Sequence, residues 1–258
     1  MKTMKNKIAI PFDHPFRDAI DYFTSQGCRI SPRSWRDLWQ QAHAGSFTVA
    51  RGTAMDVLED IKEALEKAMR EGMTLEQLTG ELEPVLERKG WLVPSGQDDE
   101  IALEDGTFRK RLSGWRLDTI CRTNMHKAYS VGRYLYLQQV AAERPYWQYH
   151  NPVDERSRIS HAAMNGKVFH HLHPVWRLWY PPNGFNCRCW ITSLSRWEME
   201  DQGISEQTTA PDDIPDEGWR YNPGEAGLQA WQPDYSRYNE IERGLVADLA
   251  GRSNDLAG

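Results

Sequence analysis

Between Asn151 and Trp190 the chain reads NPVDERSRISHAAMNGKVFHHLHPVWRLWYPPNGFNCRCW. Residue types that do chemistry crowd this stretch: Asp154, Arg156, Arg158 and His161, then Asn165-Gly166, then His170, His171 and His173, then Pro182, Asn186, Cys187, Arg188 and Cys189. Prolines, glycines and polar residues interrupt every apolar run, so no single amphipathic helix explains it. Zinc is the first chemistry it suits. Zinc takes imidazole nitrogen and thiolate sulfur in a tetrahedral shell, and His161, one of His170, His171 and His173, Cys187 and Cys189 can supply four ligands. The spacing C-x-C is tighter than the usual gap of about two to four residues. On a strand the two thiols would share a face, with Arg188 opposite; the other reading makes them small buried hydrophobes. Acid–base chemistry is the second, since a metal-assisted nuclease would use residues like Asp154, His161 and the arginines. Its alternative is a polar network in which Asp154 accepts N–H bonds from the following turn and Arg156 or Arg158 pairs with a carboxylate or carbonyl. No nucleophile stands with a base: Ser157 and Ser160 read as loop serines, and phosphate-binding loop, dinucleotide fingerprint and H-E-x-x-H are all missing. The expectation is therefore no catalytic residue. Partner binding is the third. Trp176, Trp179, Tyr180 and Trp190 lie among arginines and prolines, and such aromatics either anchor an interface or fill a core.

The elements that position this block are partly legible. Residues 15–26 and 32–43 carry apolar residues at helical spacing, with Ser31 as a cap and Pro32 in the first turn. From Ala54 to Arg70 a stripe of Val57, Leu58, Ile61, Ala64, Leu65, Ala68 and Met69 predicts an amphipathic helix, which Gly72 ends. Thr74 and Gln77 form a capping box for the next helix, which Pro84 should bend or interrupt. Residues 92–107 are polar and rich in turn formers and read as an exposed linker. A long helix then runs from Leu112 or Trp115 to Ala142, closed by Pro145. Beyond it, 146–150, Lys167–Phe169 and Arg188–Ile191 have strand character. Asn165-Gly166 and Pro181-Pro182-Asn183-Gly184 read as reversals. The expected fold class is α+β: an N-terminal helical part, then a long helix packed on a small irregular antiparallel sheet. The expected division is 1–91, a linker at 92–107, an α+β unit at 108–225 and a tail at 226–258.

The arrangement D-x-R-x-R-x-x-H, then N-G-K-V, then P-P-x-G-x-N-C-R-C resembles the signature of the phage head morphogenesis family of the Mu protein F type. So do Pro15 to Phe23, SPRSWRDLW from Ser31, SFTVA from Ser46, the helix pair ending in Lys89-Gly90-Trp91, and GWRYNPG from Gly218. The resemblance implies a minor structural protein of a tailed-phage or prophage head. It would be low in copy, associated with the portal or head interior, and required for infectious particles. It would be made in the bacterial cytoplasm and carried in the virion. Its partners would be portal, major capsid or scaffold proteins and packaged DNA. The chain is shorter than many members of this type, as a truncated or processed form would be. The family's domain also occurs fused to toxin modules, but the 33 residues after Glu225 are too few for one. The alternatives are a metal-dependent nuclease or toxin-like enzyme using residues 154–189, and a DNA-binding accessory protein of packaging or ejection.

Composition narrows these choices. The 258 residues carry a net charge of −6, unlike a dedicated nucleic-acid binder, which is usually basic. Charge is uneven, however. Between Thr107 and Arg133 stand Arg109, Lys110, Arg111, Arg116, Arg122, Lys127 and Arg133 against the single acid Asp118. Between Glu198 and Trp219 there are eight acids and no Lys or Arg. The basic stretch is a solvated face, or else it faces DNA or an acidic partner. No segment reaches the roughly 18 to 20 apolar residues of a membrane span, and the opening MKTMKNKIAIPF does not read as a signal peptide. Four scattered cysteines at 28, 121, 187 and 189 do not make a disulfide framework; a reducing cytosol is expected.

Overall fold

The structure, a computed structural model, describes residues 17–29, 46–49, 55–93, 100–102, 108–110, 112–209, 211 and 214–231. The helix expected at 32–43 and most of the tail lie outside these residues. Helix α1 (Arg17–Ser25) precedes a short parallel pair, β1 (Gly27–Cys28) and β2 (Ser46–Phe47). Helix α2 (Met55–Glu71) buries the predicted stripe, including Val57, Leu58, Ile61 and Leu65. Gly72 follows at φ +67, a backbone state that glycine enters without a Cβ clash. Helix α3 (Leu75–Arg88) starts on the expected capping box, with Thr74 and Gln77 bonding each other's backbone N–H. Helix α3 is not interrupted at Pro84 but runs on through it. The carbonyl deprived of its partner belongs to Gly80, an exposed residue where water can take the bond.

The segment read as an exposed linker is partly paired. Strand β3 (Leu92–Val93) lies parallel to β6 (Leu112–Ser113), and β4 (Glu100–Ala102) pairs antiparallel with β5 (Phe108–Lys110). The core is also continuous across it. Leu117, Cys121, Ala128 and Val131 of the long helix α4 (Gly114–Gln139) share one apolar cluster with α1, α2 and α3. The proposed boundary thus crosses this packing, because one helix serves both sides. Farther along, Leu137 of α4 joins a second cluster built from Trp147, Tyr149, Phe169, Trp176, Trp179 and Tyr180.

The sheet of this second part is antiparallel, in the order β8 (Val168–His170), β7 (Tyr146–His150), β9 (Trp190–Leu194). Along central β7, Trp147 and Tyr149 are buried while Tyr146, Gln148 and His150 are half-buried, the period of two that a strand over a core requires. Four short helices complete the described fold: α5 (Ile159–Met164), α6 (Trp176–Trp179), α7 (Arg196–Asp201) and α8 (Pro223–Ala230). Helix α8 returns to α4 through glycines: a Cβ on Gly224 would strike Tyr134, and one on Gly227 would strike Val131. The class is α+β, as expected.

Candidate functional site

Two loops and a face of α4 build the site. After β7, Asn151 accepts the backbone N–H of Val153 (2.8 Å), and its own N–H donates to Asn165 Oδ1 (2.8 Å). That bond, with Gly166 N–H to the Tyr149 carbonyl and Gly166 at φ +78, fixes the expected Asn-Gly reversal. Asp154 accepts the Arg156 N–H (3.0 Å) and the Ser157 hydroxyl (3.2 Å), as the network reading foresaw. The principal partner of Asp154 is Arg188, whose two guanidinium N–H groups grip both carboxylate oxygens, one at 2.7 Å. This fork holds the Asp154 carboxyl well below the usual carboxylate range.

The second loop, Pro181 to Cys189, hangs on α4. Ser130 Oγ donates to the Pro181 carbonyl, Tyr180 Oη donates to the Ser130 carbonyl (3.0 Å), Thr123 Oγ1 receives the Asn186 N–H (3.3 Å), and Asn186 Nδ2 donates to Thr119 Oγ1 (3.0 Å). Positions 119, 123 and 130 fall on one helix face. Asn186 sits at φ +55, which an asparagine tolerates better than most residues. Asn183 is fully buried and accepts the Tyr149 hydroxyl at 2.8 Å.

Where the loops meet, His161 Nδ1 stands 3.6 Å from Cys189 Sγ and 3.8 Å from Cys187 Sγ. The three atoms lie within 4.8 Å of one another, and all three residues are buried. Asn151 Nδ2 donates to Cys189 Sγ at 3.1 Å. Hydrogen bonding from Cys187, then from His161, Tyr149 and Asn151, draws the Cys189 thiol down against its burial; the same bond and burial push Cys187 well up. His161 Nε2 is buried without a hydrogen-bond partner, and Asp216 Oδ1 stands 3.9 Å away. Asp216 is held by Arg158 Nε at 2.9 Å, and Arg158 also donates to the Phe185 carbonyl. A Cβ at Gly184 would strike the Asp216 carboxylate, so a larger residue there would push Asp216 from its place beside Arg158.

The structure corrects two expectations. Cys187, Arg188 and Cys189 precede β9 rather than lying on it, although the alternation survives: the cysteines point in and Arg188 points out to Asp154. His173 is not with the thiols. Its Nδ1 accepts the Val175 N–H and its ring packs on Phe169, so it serves the α6 turn. Trp176, Trp179 and Tyr180 are core, whereas Trp190 is 40% exposed and stacks on His150.

A cavity of about 1160 Å³ opens beside the cluster, with Cys187 in its wall. Arg116, Arg122, Lys127, Arg156, Arg158 and Arg188 line it, against one acid, Asp118. Its basic walls combine part of the α4 stretch with the signature arginines. Arg133 is outside it, donating to the Ile191 carbonyl at 3.5 Å. Arg109 and Lys110 lie on β5, where the backbone alone is described, and Arg111 is outside the described residues. Lys127 is 5% exposed, and burial lowers its ammonium pKa to about 8.

The pattern described as "Phage Mu protein F like protein" matches residues 59–192, from α2 through most of β9. The chain belongs to the phage Mu F-like family. The "Putative capsid assembly protein F" of Escherichia phage Mu is 35% identical over 249 residues, covering 83% of this chain and 55% of that protein. The "Mu-like prophage FluMu F protein" of Haemophilus influenzae is 35% identical over 171 residues, 66% of this chain and 40% of its own. The chain spans about half the length of the curated relatives it matches. No solved structure matches it. In this Mu F-like chain the residues missed from sequence are Asn151, Tyr149, Asn183, Thr119, Thr123 and Asp216. Asp216 was one acid among eight in a run, and nothing in that run marks it; the others are ordinary strand, loop or helix residues until the loops close.

Proposed function

We propose that this chain is a minor structural protein of a tailed-phage or prophage head: low in copy, associated with the portal or head interior, and required for infectious particles. Its partners are portal, major capsid or scaffold proteins, and it travels in the virion. The observation that carries this reading is the likeness to a capsid assembly protein over 83% of the chain. The geometry supports a structural role. Asp154, Arg158, Arg188, Asn165 and Asn186 each hold a loop or a turn in place. Among the described residues no helix is long and apolar enough to cross a membrane.

The test is deletion of the gene in the phage or prophage that encodes it, with complementation in trans. The reading expects particles or precursors that lose infectivity, recovery by the wild-type gene, and the chain in purified heads at a copy number far below that of the major capsid protein. Normal titres from the deletion would sink it. The basic cavity favours one second reading, contact with packaged DNA through phosphate-facing cations. That reading expects binding that weakens steeply with salt; salt-independent or absent binding rejects it.

A further inference from the structure

We propose that His161 Nδ1, Cys187 Sγ and Cys189 Sγ bind one zinc ion, which ties the turn after β7 to the loop before β9. Tetrahedral zinc holds sulfur at about 2.3 Å and nitrogen at about 2.0–2.1 Å, which places ligand nitrogen and sulfur about 3.6 Å apart. The observed separations are 3.6 and 3.8 Å. The donor set is right for the ion: two soft thiolates with an imidazole favour zinc over the hard cations, which take oxygen.

The surroundings match as well. Metal-binding histidines ordinarily turn their second nitrogen to a carboxylate, and the bound thiolates accept N–H bonds. Here His161 Nε2 lacks a hydrogen-bond partner and stands near Asp216, and Asn151 Nδ2 donates to Cys189 Sγ. Two buried hydrophobic thiols would need neither an imidazole nitrogen between them nor an amide aimed at one sulfur. A Cys–His–Asp nucleophile is the competing chemistry. It fails on access, because Cys189 is 0% exposed and absent from the cavity wall. Among the described residues no fourth His, Cys, Asp or Glu joins the set. Water completes the shell on the proposed reading, and the thiols release the protons they still carry as the ion enters.

The test uses the whole chain, purified without tag or chelator from zinc-supplemented medium. Elemental analysis should find about one zinc per chain, as a single tetrahedral site requires. After removal with a chelator, cobalt(II) alone should give thiolate-to-cobalt charge-transfer bands, and zinc alone should restore a lowered thermal midpoint. Cys189→Ser and His161→Ala should lose the ion, while His173→Ala keeps it. Asp216→Asn, which leaves all three ligands, should weaken zinc affinity by about 10- to 100-fold in competition with a chelating dye. If the ligand variants do not fold, the cobalt spectrum of the wild-type chain decides. Folded wild-type protein that takes up only traces of zinc overturns the proposal. So does a cobalt spectrum without charge transfer, or rapid alkylation of Cys189 in zinc-treated protein.

Discussion

Replacing Lys127 with Met should make the protein more stable, and the gain should depend on pH in a calculable way. Lys127 is buried in the wall of the basic cavity, and burial alone lowers its pKa from 10.5 to about 8. The folded state therefore binds this proton less tightly than the unfolded chain does. Below pH 8 both states hold the proton and the full penalty applies. A tenfold loss of proton affinity is worth about 1.36 kcal/mol, so a fall from 10.5 to about 8 costs about 3 kcal/mol. Between pH 8 and 10.5 the unfolded state binds more protons, stability rises with pH, and the penalty disappears. Met fills similar volume without charge. The hydrogen bond or other contact that the ammonium makes is lost, offsetting about 1 kcal/mol. The expected gain is therefore about 2 kcal/mol at pH 7, shrinking as pH approaches 10.5. Urea unfolding of both proteins from pH 7 to 10.5 measures it, and the difference between them cancels the tyrosines that titrate nearby. A Met variant no more stable than wild type at pH 7, or one whose advantage is flat across the range, refutes the reasoning. On the reading that the basic cavity meets packaged DNA, the same variant should also bind polyanions more weakly.

Asp154→Asn should destabilise the protein at neutral pH and flatten its acid limb. A carboxylate held down by Arg188 contributes stability that is fully present above its unfolded pKa and is lost only as pH falls from there through the depressed folded pKa; the gap between the two proteins' urea midpoints should hold from pH 7 to about 4 and begin to narrow below that. Gly227→Ala places a methyl group against Val131 and should cost about 1–3 kcal/mol by overpacking, read as a lower thermal midpoint; an unchanged midpoint would mean α8 is not docked as described. Tyr149→Phe removes the donor from buried Asn183 and should cost about 1–3 kcal/mol in chemical denaturation, with the sheet retained by circular dichroism.

Periodicity located α2, the start of α3 and most of α4, because their stripes face a core and their caps are local. Strand β7 was legible for the same reason. The end strands were displaced by one to three residues: β8 and β9 are defined by pairing with β7, a partner that residues 168 and 190 do not announce. The linker reading missed the pairing of β3 with β6, since two short strands supply no pattern of their own. In the site, Asp154, His161 and the cysteines were legible as types, but their grouping was not. His173 is twelve residues from His161 yet serves another turn, whereas Asp216, far along an acidic run, returns to stand beside His161. Loop closure chooses among such candidates, and the closing bonds to Thr119, Thr123 and Ser130 come from a helix whose own stripe says nothing of them.

The glycine contacts between α8 and α4 bear on how the chain is made. Tyr134 leaves the ribosome 90 residues before Gly224, which covers it, and Val131 likewise precedes Gly227. At about 5–20 residues per second, that flank of α4 waits roughly five to twenty seconds for its cover. During vectorial synthesis it is an apolar stripe without its lid, the kind of surface that chaperones hold and neighbouring nascent chains stick to. A ribosome stalled before Pro223 would display it for as long as the stall lasts.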